Sequence, residues 1–142
     1  MSQEQAGRRV FGTVGWLLTG LFALRILGQA VQRWAPRAEL PPFEAFQGSP
    51  LPYWLLLSSQ LVFLLAMAVI SQRMLVGGLR RTRRLSITLG WAGSVYMAAA
   101  LARICIGLAI PEAPAWFHAW IPATFHLVLA GFVLTTWGYQ CQ

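Results

Sequence analysis

The chain has 142 residues, 57% of them hydrophobic and 11% charged, with a mean hydropathy of +0.58. A soluble domain carries about 25% charged residues, so these figures exclude an ordinary water-soluble globule and point to a chain dissolved mainly in lipid. The net charge of +7 comes from eleven Arg and no Lys, set in short clusters between apolar runs; that pattern suits anionic lipid head groups and topology control, not nucleic acid, which wants a basic stripe on a soluble face.

The amino terminus carries Arg8 and Arg9 against Glu4. "GRRVFG" resembles a twin-arginine export signal, and Gly28-Gln29-Ala30 could pass for a cleavage site. Arg25 inside the apolar run and the further spans that follow argue for retention. The first predicted span is Val10 to Val31, since a crossing helix needs about 20 mostly apolar residues. It offers a small-residue face at Gly12, Gly15 and Thr19.

The connection from Gln32 to Pro52 balances Arg33 and Arg37 against Glu39 and Glu44. Its Leu40, Phe43 and Phe46 can lie on a membrane surface. The second span runs from Tyr53 to Gln72, and "RMLVGGLRRTRR" follows with Arg73, Arg80, Arg81, Arg83 and Arg84 and no acid. The third span, Leu85 to Ala109, carries a stripe at i, i+4 spacing: Gly90, Ser94, Ala98 and Ala102. In lipid, close approach through small residues drives helix association, so this stripe is expected to pack helices together, with the face of span one as its natural partner. After a short connection holding Glu112, the fourth span covers Ile121 to Tyr139, and Pro122 suits its first turn. Trp34, Tyr53, Trp54, Trp116 and Trp120 are expected at one interface, Trp137 and Tyr139 at the other.

Positive connections stay in the cytoplasm. Seven Arg stand against one Glu in the amino-terminal segment and the Arg73–Arg84 connection, and four Arg against three Glu elsewhere. The expected protein is therefore all-α: one domain over residues 1–142, four transmembrane helices in a compact bundle, both termini cytoplasmic, in a bacterial inner membrane.

Chemistry enters when depth is counted from the far end of each span. Arg25 lies six residues below Val31, Gln60 seven below Tyr53, Arg103 six below Ala109 and His126 five below Ile121. At 1.5 Å per residue all four sit roughly 8–10 Å below that boundary. Tyr96 shares a face with Arg103 (i, i+7), and Gln29 with Arg25 (i, i+4). No acid lies within a span, so the arginines can pair there only if Glu39, Glu44 or Glu112 dips in from a loop, with Glu44 the best candidate. Arg25, Gln60, Arg103, His126, Glu44 and Tyr96 form the candidate ligand site. Without an acid, two Arg and a His would converge on an anion such as a carboxylate or phosphate. Each residue has a plainer reading as well: the arginines can snorkel to phosphate, and His126 can make a structural hydrogen bond between spans.

His118 and His126 are eight residues apart, about 12 Å along a continuous helix. Cys105 and Cys141 are the two cysteines and are expected near opposite membrane faces. No metal site, disulfide or catalytic residue is predicted. No cofactor is predicted either; haem through His126 and quinone through His, Tyr and Gln are the alternatives considered.

Two stretches, "LPPFEAFQGSPLPYWLLLSSQ" (Leu40–Gln60) and "IPATFHLVLAG" (Ile121–Gly131), resemble a set of small bacterial membrane proteins with four predicted spans. That group has no assigned activity, so the resemblance implies an architecture and no function. Three functional expectations follow from the residues. The first is a non-enzymatic accessory or assembly subunit that meets lipids and other membrane proteins, or its own copies, and carries a polar pocket open to the outer face. The second is a module binding an anionic lipid, quinone or haem through Arg25, Gln60, Arg103 and His126. The third is an enzyme or carrier acting on lipid, which requires Glu44 beside His126 or Arg103.

Overall fold

The computed structural model describes residues 3–47 and 51–142. The part of the Leu40–Gln60 stretch that covers Gly48, Ser49 and Pro50 lies outside the described residues. The described residues form six helices: α1 (Gln3–Trp34), α2 (Phe43–Phe46), α3 (Tyr53–Val76), α4 (Arg83–Ala109), α5 (Ala115–His118) and α6 (Trp120–Gln140). The four long ones are each long and apolar enough to cross a membrane. The expected spans lie inside them, and the helices overrun the apolar stretches. α1, with 32 residues, is roughly 48 Å long, more than the ~30 Å of a bilayer's hydrocarbon core. Its first turns carry Glu4, Arg8 and Arg9. The short α2 and α5 are helical turns within the two connections read as surface segments.

The arrangement is inside out compared with a soluble bundle. Large apolar side chains point away from the chain on every long helix: Leu17 is 65% exposed, Val62 67%, Trp91 72% and Trp120 69%. The interior is small. Phe22 and Ile26 of α1, Met67 of α3 and Phe132 of α6 form its centre, with Leu64, Phe125 and Leu129 packed around them. α1 lies between α3 and α6, and α4 rests against α6 and α5 from outside. The compact four-helix bundle is thus a three-helix core with a fourth helix laid on its flank.

This arrangement corrects the expected packing of α4. Gly12, Gly15 and Thr19 of α1 are buried as a face, but against Ser71, Met74 and Leu75 of α3. The stripe of α4 that meets a neighbour is Gly93 and Ala100, both buried, with Gly93 set against Val133 and Leu134 of α6. Ser94, Ala98 and Ala102 face outward, and only Gly90 of the expected stripe approaches α6, beneath Trp137. The packed face sits about 130° round the helix from the expected one. A second correction concerns Tyr139, expected as an interfacial anchor: it is 1% exposed, with the Arg81 guanidinium 4.6 Å from its ring centroid.

Both termini and the α3–α4 connection share one end. Arg81 bridges to Glu4 at 3.7 Å and donates to Gln142 at 3.5 Å, and Gly7 lies against the Gln142 side chain. α3 stops at Gly77, whose φ of 73° is left-handed and suits a residue without Cβ. Gln140 clamps the loop: its Oε1 accepts from the Thr82 N–H at 3.1 Å and its Nε2 donates to the Arg80 carbonyl at 3.2 Å. Thr82 then caps α4 by accepting from Leu85 N–H. α2 and α5 lie at the opposite end.

Candidate functional site

The end carrying α2 and α5 contains a cavity of about 260 Å³. Its walls are mostly apolar, from Phe22, Leu56, Phe63, Pro122, Phe125 and Leu129. Four strong polar side chains share those walls, one from each long helix: Arg25 of α1, Gln60 of α3, Arg103 of α4 and His126 of α6. A fixed rise per residue sets their common depth; the packing turns all four toward the same space. Gln47 and Ser59 complete the polar lining.

The arginines are not held by acids. Arg25 Nη2 donates to the carbonyl of Phe46, the last residue of α2, at 2.9 Å. Its guanidinium also stands 5.5 Å from the Phe125 ring centroid. Phe46 is able to reach inward because its ring rests on Gly28 of α1, where a Cβ would be 3.5 Å away. Arg103 Nη2 donates to the Trp116 carbonyl in α5 at 2.5 Å, and its guanidinium stacks 4.8 Å from the Trp116 ring centroid. Each arginine thereby ties one interfacial turn to a long helix. Backbone carbonyls replace the carboxylate expected at Glu44, which is exposed and does not line the cavity. The ion pairs among the described residues both involve Glu4, at the far end.

These bonds leave part of each group unmatched. Arg25 Nε, Arg103 Nε, Gln60 Oε1 and Gln29 Nε2 are buried without a hydrogen-bond partner. Gln29 is fully buried, and its Oε1 accepts from Gln60 Nε2 at 3.5 Å, the long end of the range. Native proteins leave few such buried groups; three of these belong to residues that line the cavity and the fourth to Gln29, which contacts Gln60, while Arg8 Nε is a further unpartnered buried atom at the opposite end.

His126 is fixed from α4. Its Nδ1 and the Tyr96 hydroxyl are 2.6 Å apart, and the rings meet edge to face at 5.8 Å. When the phenol donates, Nδ1 is the acceptor and Nε2 carries the ring proton. Tyr96 does not line the cavity; it orients a residue that does. His118 stays apart, with Nε2 3.1 Å from the Ala113 carbonyl oxygen on the exposed side of α5. The two histidines do not form a shared centre. Among the described residues no group of three His, Cys, Asp or Glu side chains could hold a metal ion.

Sequence reasoning missed Gln29, which it recorded only as a companion of Arg25, and Phe46 and Trp116 as carbonyl acceptors for the two arginines. Gln29 had a signal, since a second strong polar residue one turn from an intramembrane arginine needs its own partner. The two carbonyls had none, because a backbone acceptor is present at every residue. Comparison of the chain with protein-family models, with curated proteins and with solved structures returns no match.

Proposed function

We propose that this chain is a polytopic protein of the bacterial inner membrane that holds an amphipathic molecule by its polar head, without transforming it. The observation that carries this reading is the meeting of Arg25, Gln60, Arg103 and His126, from four different helices, in one otherwise apolar cavity. Polar and charged groups within a span are costly and mark functional sites by default, and an apolar pocket with a few convergent polar groups is the usual form of a small-molecule site. The tail would lie along the phenylalanine and leucine walls. Anionic lipid, quinone and haem are the ligand classes in view; for haem, His126 would be the residue to hold the iron. The end with seven Arg is taken as cytoplasmic, which puts the termini inside and opens the cavity toward the outer leaflet.

The lipid-enzyme reading gains no support, since Glu44 is exposed and does not line the cavity and no described lining residue is an acid that could orient His126. Purification in mild detergent, followed by mass spectrometry of what dissociates on denaturation, tests the binding reading. The expected outcome is one amphiphile retained near one per chain and lost with His126→Ala combined with Arg103→Gln. A Soret band in the purified protein would assign the ligand as haem. A chain that retains nothing but detergent would end this proposal.

A second reading, an accessory or assembly subunit, has its own observation. α4 is flanked on one side only, and Ser94, Ala98 and Ala102 lie open beside a groove walled by Trp91 and Trp137. Small residues on an open helix face suit the close approach of another transmembrane helix or a second copy. Co-purification with a larger membrane complex supports it, and a partnerless monomer in mild detergent counts against it.

A further inference from the structure

The cavity wall carries two guanidinium groups and, among the described residues lining it, no carboxylate. The carbonyls of Phe46 and Trp116 satisfy one N–H of each arginine but bring only partial charge. Arg25 is 8% exposed and Gln60 5%, so neither is relieved by solvent. Buried charge without a counter-charge is costly, and so is a buried N–H without an acceptor. A neutral carbonyl, such as a quinone's, would take up an N–H and leave both positive charges standing. An oxyanion does both, and arginine is the residue best suited to hold one.

We infer that the cavity recognises the oxyanion of an acyl-chain amphiphile, with the guanidinium N–H groups of Arg25 and Arg103 that the Phe46 and Trp116 carbonyls leave free donating to its oxygens. This rests on the binding reading and adds the sign and type of the head group. Gln60 adds a further discrimination. It lines the cavity with its Nε2 directed at Gln29 and its Oε1 buried and unpartnered, so a ligand that turns this amide toward the cavity gives Oε1 a hydroxyl or ammonium beside the oxyanion to accept from. A phosphodiester lipid with a glycerol head supplies such a donor; a fatty-acid carboxylate does not.

The test is native mass spectrometry of the full chain in detergent with four probes: dioleoyl-phosphatidylglycerol, dioleoyl-phosphatidylcholine, oleate and ubiquinone. Phosphatidylglycerol is expected to be retained best. Arg103→Gln and Arg25→Gln are each expected to weaken it about tenfold or more, the scale of one lost charge-assisted hydrogen bond. Arg103→Lys keeps the charge but removes the planar guanidinium fork, and is expected to restore retention only in part. Gln60→Met is expected to weaken phosphatidylglycerol and leave oleate unchanged. It offers a readout that survives if an arginine variant does not fold. Retention of oleate equal to phosphatidylglycerol, with Gln60→Met silent, would uphold the oxyanion and assign a carboxylate as its source. Ubiquinone held as well as phosphatidylglycerol, and unaffected by the arginine variants, would overturn the oxyanion while leaving the binding reading intact; phosphatidylcholine, which has the same phosphodiester oxyanion but no head-group hydrogen-bond donor, held as well as phosphatidylglycerol would overturn the role of Gln60. Retention of none of the four would bring down the binding reading itself.

Discussion

Gly107 is the point at which α4 touches the backbone of α5, and replacing it with Ala gives a quantitative check on this end of the molecule. A Cβ at Gly107 would overlap the Phe117 carbonyl oxygen and lie 3.0 Å from the carbonyl carbon. Non-bonded carbons settle at about 3.5–4.0 Å, so α5 must retreat by roughly 0.5–1 Å; backbone cannot swing aside as a side-chain tip can. The adjacent Trp116 carbonyl, held by Arg103 at 2.5 Å, would then sit near or beyond the ~2.7–2.9 Å expected of a charge-assisted bond. Overpacking costs about 1–3 kcal/mol, offset by about 1 kcal/mol of helix preference for Ala over Gly. Gly20→Ala is the internal control, because nothing lies within 4 Å of a Cβ there. In equilibrium unfolding by SDS in mixed micelles, Gly107→Ala is expected to be about 1–3 kcal/mol less stable than Gly20→Ala. Because α5 is four residues long and has no buried residue, it should yield first. Amide exchange at Phe117, bonded to the Pro114 carbonyl at 2.9 Å, is expected to rise about fivefold or more for each ~1 kcal/mol lost locally. Equal stability of the two variants, with unchanged exchange at Phe117, would refute the packing of α5 on α4 and with it the tether from Arg103.

Three further outcomes are expected. A double-mutant cycle of Tyr96→Phe and His126→Leu should give a coupling of about 0.6–1.7 kcal/mol, the range for hydrogen bonds between transmembrane helices; a coupling near zero would mean that the 2.6 Å contact does not form in the membrane. Gln140→Leu removes both loop clamps and leaves the Thr82 N–H without its partner, at a cost of about 1–3 kcal/mol; its exchange should accelerate more than that of amides in the middle of α4, and an unaltered Thr82 amide would show that the clamp is idle. In a Cys105→Ala background, a membrane-impermeant maleimide should label Cys141 only after the membrane is permeabilised, and ready labelling in intact spheroplasts would reverse the proposed orientation.

The sequence by itself determined the number of the long helices and the apolar stretch within each, because apolar length maps directly onto distance at 1.5 Å per residue; the turns by which α1 and α3 overrun those stretches were not visible in it. The same constant rise put Arg25, Gln60, Arg103 and His126 at one depth before any packing was known. Rotation about each helix axis was decided only by tertiary structure. On α4, Gly90-Ser94-Ala98-Ala102 and Gly93-Ala100-Gly107 are both small-residue stripes; in lipid no hydrophobic contrast favours one face over the other, and the side-chain shapes of Val133 and Leu134 select the second. The partners of the arginines were likewise hidden. The loop acids Glu39, Glu44 and Glu112, with Glu44 foremost, were the partners visible in the sequence, whereas the groups that hold Arg25 and Arg103 are the carbonyls of Phe46 and Trp116. Every residue has such a carbonyl, and these two become acceptors because α2 and α5 fold back over the ends of the long helices and aim them inward.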